Sequence, residues 1–215
     1  MLSICIGPTP AFLPELQKQK NIQATGIDIS ERAIQQCKKQ NIPNVKLMDG
    51  AKTTFAKNTF DVILASDVLE HIKEDDKAVQ NWQRILKPGG TLLVFVPACP
   101  SLWSKHDEIN HHYRRYTKKQ LVNQLNKAGL TVTRSSYWNF LLFFPYWSLL
   151  FFPTTVIRMI HRFLGSGTKA KDNLQTTNAL FNTLFYALLC IENTLLHSIN
   201  YPFGVSVFAI GKKPL

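Results

Sequence analysis

The chain has 215 residues, enough for one domain with a decoration or two small ones, and enough to bury a core. Its 25 Lys and Arg against 14 Asp and Glu give a net charge of +11, which favours anionic partners such as nucleic acid, an acidic membrane surface or a phosphorylated substrate. Cys5, Cys37, Cys99 and Cys190 lack the paired spacings of zinc or redox motifs, and the N-terminus shows no secretion signal, so a reduced cytosolic protein is expected.

In chain order, Leu2, Ile4 and Ile6 predict a first strand, followed by the turn Gly7-Pro8-Thr9-Pro10 and a helix over 11–20 with Pro14 in its first turn. Residues 24–29 predict a second strand. In a doubly wound α/β fold this order sets the first turn beside a nucleotide-like ligand, with Asp28 at the strand tip to accept hydrogen bonds from ribose hydroxyls. Ser30 predicts the cap of a helix to about Gln40, with Ala33, Ile34 and Cys37 on one face. Residues 45–48 form a third strand closed by Asp49-Gly50, and 60–65 a fourth, apolar on both faces. A helix carrying Ala78, Val79, Trp82, Ile85 and Leu86 follows, then Lys87-Pro88-Gly89-Gly90 as stop and turn, then a fifth strand over 91–96. Residues 98–117 read as an irregular loop. Thr117 caps a helix ended by Gly129, and strands are expected over 130–137 and 203–210. The pattern predicts an α/β, Rossmann-like doubly wound sheet, mostly parallel with an antiparallel last strand.

The order and punctuation resemble class I S-adenosylmethionine-dependent methyltransferases of the type 11 group. The resemblance rests on Gly26-Ile27-Asp28-Ile29-Ser30, Asp49-Gly50, the run from Phe60 through Asp67-Val68-Leu69-Glu70-His71 to Ile72, and Leu86-Lys87-Pro88-Gly89-Gly90. It implies S-adenosylmethionine as cofactor, with Asp28 on the ribose hydroxyls, Ile29 beside it, Asp49 on the adenine amino group, Gly50 and Ser66 lining the pocket, and Gly7 admitting the methionine end. The family's glycine-rich first turn is degenerate here, since Ser3, Cys5 and Thr9 stand where an acidic residue and two glycines are usual.

Methyl transfer from a sulfonium needs alignment and, for an oxygen nucleophile, a base. His71, His106 and His111 are the candidate catalytic residues, with Asp107 and His112 also in reach and Tyr113 and Tyr116 for orientation. Asp67, Glu70 and His71 stand at i, i+3 and i+4, a spacing able to present ligands on one helical face. The segment resembles a Glu-x-x-Glu-His run that binds a divalent ion in some ubiquinone-pathway and small-RNA methyltransferases, but the same Leu-Glu-His run caps and packs in relatives without metal, and no metal is expected.

From 135 to 157 there is no charged residue and the chain is rich in Phe, Leu and Trp. The flanking strands should pair in one sheet, which excludes a single crossing, and Pro145 and Pro153 cut the run. The second run, 179–191, is short of a span and continues as leucine and phenylalanine doublets opposite Asn182, Thr183, Asn193, Thr194 and His197. The expected organisation is a methyltransferase-like Rossmann domain over 1–138 and 203–215, with a hydrophobic, amphipathic-helical insert over 139–202 at a membrane interface or in a packing lobe. The expected activity is O-methylation of an amphiphilic, small-molecule or lipid-linked acceptor at the inner face of the membrane. The alternative is a catalytically inactive methyltransferase-fold protein that binds a membrane or a partner. No nucleic-acid recognition module is present in the sequence.

Overall fold

The structure, a computed structural model, describes residues 2–6, 13–14, 18, 22–144 and 179–215. Gly7, most of the helix expected over 11–20, and the part of the apolar run beyond 144 lie outside the described residues.

Seven strands, β1 (Leu2–Ile6), β2 (Gln23–Asp28), β3 (Val45–Leu47), β4 (Phe60–Ser66), β5 (Leu86–Pro97), β6 (Thr131–Trp138) and β7 (Ser206–Lys212), form one sheet. Their order is β3-β2-β1-β4-β5-β7-β6, with β7 antiparallel between β5 and β6 and all other pairs parallel. This is the doubly wound sheet with an antiparallel last strand that the sequence predicts.

The helices begin and end where side chains satisfy their orphan backbone groups. Ser30 Oγ accepts the Ala33 N–H and opens α1 (Glu31–Lys39), which buries Ile34 and Cys37. The helix α2 (Asp75–Ile85) buries Ala78, Val79, Trp82 and Ile85. Lys213 Nζ donates to the carbonyls of Gln83 (2.9 Å) and Leu86 (2.7 Å), so the last turn of α2 ends on a cation. A short helix α3 (Lys105–Ile109) follows, then α4 (Lys118–Lys127), opened by a reciprocal Thr117–Gln120 capping box. Gly129, with φ +84°, turns the chain out of α4.

Two expectations change. Leu86 opens β5 rather than closing the preceding helix: it pairs with Phe60 while Thr91 pairs with Val62, so Lys87-Pro88-Gly89-Gly90 bulges out of the ladder. The bulge persists because Gly89 N–H donates to Lys213 O (3.0 Å) and Lys213 N–H to Gly90 O (2.8 Å). Residues 98–117 also contain more structure than a loop, namely α3 and a 3₁₀ turn at Pro100–Leu102.

One face of the sheet is closed by α2 and α4. Ile63 and Ala65 of β4, Leu92, Val94 and Val96 of β5, and Ala209 of β7 pack there with Trp82, Ile85, Leu121 and Leu125. On the opposite face Leu13, Ala24, Cys37 and Ile42 form a smaller cluster that Leu64 joins. Val62, Leu64 and Ser66 are half-buried, so β4 is fully covered on one face only. Beyond β6 the chain turns into a helical segment, 140–144, and returns through α5 (Ala179–Leu196). Glu192 of α5, 1% exposed, accepts the amides of Phe140 (2.9 Å) and Leu141 (3.2 Å), capping that segment.

Candidate active site

Parallel pairing brings the carboxyl ends of β2, β3 and β4 to one edge, where a cavity of about 300 Å³ lies between Asp28, Ile29, Met48, Asp49, Gly50, Asp67 and His71. Asp28 Oδ1 accepts the Ser30 N–H at 2.8 Å. Burial raises the Asp28 pKa, against the amides of Ser30 and Ile29, which lower it. Ile29 is 72% exposed at the lip, an apolar surface at the mouth of a polar cleft. Asp49 Oδ1 accepts the Ala51 N–H (2.8 Å) and caps a 3₁₀ turn at Gly50–Lys52. Asp67 follows β4 with φ +52° and donates its N–H to Phe95 O (3.0 Å), a strained conformation at the rim.

The Asp49-Gly50 turn is held from behind by α2. The buried Trp82 donates its indole N–H to Gly50 O at 2.7 Å, and Asn81 Nδ2 donates to Ala51 O at 3.3 Å. Arg84 Nη2 reaches the carbonyls of Thr53 (3.2 Å) and Phe55 (3.0 Å). The side chains that anchor this helix in the core thus also fix one wall of the cleft.

On the far wall, a 3₁₀ turn at Leu69–His71 meets the 98–117 segment, whose Tyr113 N–H donates to Glu70 O at 2.8 Å. The His71 and His112 rings meet edge to face, 4.6 Å between centroids. His112 Nδ1 donates to Asp107 Oδ1 (2.9 Å), which also accepts Arg115 Nε (2.8 Å); Asp107 Oδ2 accepts the Ser104 N–H (2.9 Å). Asp107 is fully buried. Burial pushes its pKa up, but the bonds from Arg115, His112 and Ser104 outweigh it and hold the carboxyl below its ordinary value. His71 is lowered by burial and by the neighbouring His112. Glu70 is 0% exposed, neither of its carboxylate oxygens has a hydrogen-bond partner among the described residues, and burial raises its pKa to about 8.

Of the expected site residues, Asp28, Ile29, Asp49, Gly50 and His71 line the one cleft. Ser66 lines an adjoining, larger cavity of about 450 Å³ on the sheet face, between Leu64, Leu93, Phe95, Trp138 and Phe208, with Arg134, Asn193 and His197 on its walls. His106 is exposed on α3, its Nε2 accepting from Asn110 Nδ2 (2.9 Å), and His111 is exposed in the following turn at φ +56°. Neither lines the two cavities. Met48 and Trp82 were not among the expected site residues, and Asp67 was read only as a possible ligand beside Glu70 and His71, not as part of the cofactor cleft. Asp67 alone carried a signal, as the carboxylate directly after a parallel strand.

Residues 4–94 match the family described as a methyltransferase domain, and these residues supply the cleft. The protein has the class I methyltransferase fold. The chain is similar to the ubiquinone/menaquinone biosynthesis C-methyltransferase UbiE of Shewanella frigidimarina, 34% identical over 82 residues, which are 38% of this chain and 30% of that protein. The chain therefore matches less than a third of that curated relative's length. A SAM-dependent methyltransferase structure from Archaeoglobus fulgidus aligns with 99% of this chain and 86% of its own at TM-score 0.61 and 17% identity. Phosphoethanolamine N-methyltransferase 2 of Haemonchus contortus, in complex with S-adenosyl-L-methionine, aligns with all of this chain and 49% of its own at TM-score 0.61 and 17% identity.

Proposed function

We propose that the protein is an S-adenosylmethionine-dependent methyltransferase acting on an amphiphilic small molecule at the inner face of a membrane. The observation that carries this reading is the cleft of Asp28, Asp49 and the exposed Ile29 at the strand edge of a methyltransferase fold. Those residues fit the cofactor: two carboxylates for hydroxyl and amino donors, apolar Ile29 and Met48 for a flat ring. Bound there, S-adenosylmethionine would supply an electrophilic methyl group, whose transfer to an acceptor hydroxyl would form one C–O bond, break one C–S bond and pass the hydroxyl proton to the His71 imidazole that lines the cleft. Asp28 orients the ribose, Trp82 keeps Gly50 in register, and the His71–His112–Asp107 wall meets the acceptor oxygen.

The relatives named as C-methyltransferases match 27% to 44% of this chain, so an oxygen acceptor rests on the ionisable wall instead. The adjoining apolar cavity behind Ser66 suits the acceptor's hydrocarbon part. Prenylated quinone precursors and lipid-linked saccharides have that chemistry. Residues 139–202 are read as a lobe that lies in the interface, supported by the +11 charge and by exposed Phe144, Phe185, Tyr186, Ile191 and Leu195. Among the described residues no helix is long and apolar enough to cross a membrane.

Calorimetric titration with S-adenosylmethionine and S-adenosylhomocysteine tests the reading. Saturable binding, weakened at least about tenfold by Asp28→Ala, is expected. A second reading, a non-catalytic membrane or partner-binding protein, is favoured by Ser3, Cys5 and Thr9 at the positions where the family's first motif has an acidic residue and two glycines. An absence of heat at millimolar cofactor overturns the enzyme in its favour.

A further inference from the structure

We infer that the larger cavity binds an amphiphile with one anionic group, a carboxylate or a phosphate, and that Arg134 is the residue that selects it. Leu64, Leu93, Ile210 and Arg134 are paired in register across β4, β5, β7 and β6. Paired residues share a face of the sheet, so an apolar row crosses three strands and ends on a guanidinium. Ser66, Phe95 and Phe208 form the neighbouring row, and the end of α5 supplies Asn193, Leu196 and His197 to the cavity wall.

Arg134 is half-buried, with its guanidinium over the Phe208 ring at 6.0 Å from the centroid. Its Nη2 donates to Leu196 O and its Nε to Asn200 Oδ1 (3.4 Å), both neutral acceptors. Nη1 still offers its N–H donors, and no carboxylate lines the cavity among the described residues. A cation held against apolar side chains without a counter-charge is costly, and a carboxylate or phosphate matches the guanidinium fork. The other walls are already set. Trp138 donates its indole N–H to Asn193 Oδ1 (2.9 Å), and Phe95 packs on Phe208 and Trp138 with centroids 5.5 and 5.8 Å apart.

The register also gives the ligand a length. Phe208 pairs with Phe95 and Phe95 with Ser66, so two strand spacings of about 4.8 Å set the guanidinium about 10 Å from Ser66. Ser66 Oγ donates to Asp67 Oδ2 (3.1 Å), and Asp67 lines the cofactor cleft. The ligand therefore has an apolar body about 10 Å long, its acid on Arg134 and its other end at the cleft, within a cavity of about 450 Å³. That this ligand is the methyl acceptor rests on the methyltransferase reading; its binding does not.

The full chain, without S-adenosylmethionine, is titrated in a calorimeter with decyl phosphate, decanoate and decanol below their micellar concentrations, and with inorganic phosphate. One anionic amphiphile per chain is expected, bound at least about tenfold tighter than decanol or inorganic phosphate, and the tighter of the two anions names the acid. Arg134→Gln, its folding checked by circular dichroism, should bind the anions no tighter than decanol. Leu93→Trp, which fills the cavity, should weaken all three amphiphiles, and Lys127→Gln on the exposed side of α4 should change none. Equal affinity of the wild type for decanol and the anions, an anion preference that folded Arg134→Gln retains, or no saturable binding overturns the inference. If Arg134→Gln does not fold, one-to-one binding retained in Leu93→Trp overturns it. Cofactor titration of the same sample separates the two: amphiphile binding without cofactor binding removes only the acceptor role.

Discussion

Tyr116 donates its phenol to Asp75 Oδ2 at 2.8 Å, joining the end of the 98–117 segment to the first turn of α2. Both residues are buried, and Asp75 keeps a second partner in Arg114 Nη1 at 3.0 Å. Tyr116→Phe should lower stability by about 1–2 kcal/mol in urea unfolding, because it leaves a buried carboxylate oxygen short of a donor. Burial, then Asp75, raises the phenol's pKa above its ordinary 10.0. The folded chain therefore holds a proton that the unfolded chain loses. Tyr116 contributes fully below pH 10.0 and less as pH rises past it, so the wild type should lose stability there more steeply than Tyr116→Phe.

Trp82→Phe keeps most of the buried aromatic volume and removes the donor to Gly50 O. We expect about 1–2 kcal/mol lost in unfolding and cofactor affinity reduced several-fold, through the Asp49-Gly50 turn. Unchanged affinity in calorimetry would make Trp82 a packing residue alone.

Glu192→Ala removes the acceptor for the amides of Phe140 and Leu141, leaving the start of segment 140–144 uncapped. A loss of about 2–3 kcal/mol is expected, and a smaller one for Glu192→Gln, which keeps one acceptor oxygen. Thermal melts of the two variants against wild type measure the difference.

A Cβ on Gly204 would collide with the Trp138 carbonyl oxygen. Gly204→Ala should therefore force β6 and the segment before β7 apart and cost about 3 kcal/mol. Fluorescence of Trp138, which lines the larger cavity, should shift with it.

Phe185 and Ile191 are 43% and 56% exposed on α5. Phe185→Asp with Ile191→Asp should shift the protein from the pellet to the supernatant when it is spun with anionic liposomes. Equal pelleting of wild type and variant would remove these side chains from any membrane contact.

The elements were legible where punctuation is local. Ser30 and Thr117 announce helix starts by their own side-chain bonds, and Gly129 ends a helix by its left-handed backbone. The bulge at Lys87-Pro88-Gly89-Gly90 was not legible, because the contacts that keep Leu86 in a strand come from Phe60 and Lys213. Asp28 and Asp49 could be found as carboxylates after apolar strands. The Trp82–Gly50 bond could not, since it spans 32 positions and uses a side chain that reads as core. Among the loop histidines, which one turns inward depends on the positive φ of His111 and on Asp107, a buried carboxylate within a stretch that reads as solvent-exposed.

β7 lies between β5 and β6, yet it is made after both, and 139–205 intervene. Until Ser206–Lys212 leaves the ribosome, β5 has an open edge and β6 has no neighbour in the sheet. The intervening residues thus emerge while the domain is unfinished, and closing so long a loop delays its completion. During translation, the insert can meet its surroundings before the fold that carries it exists.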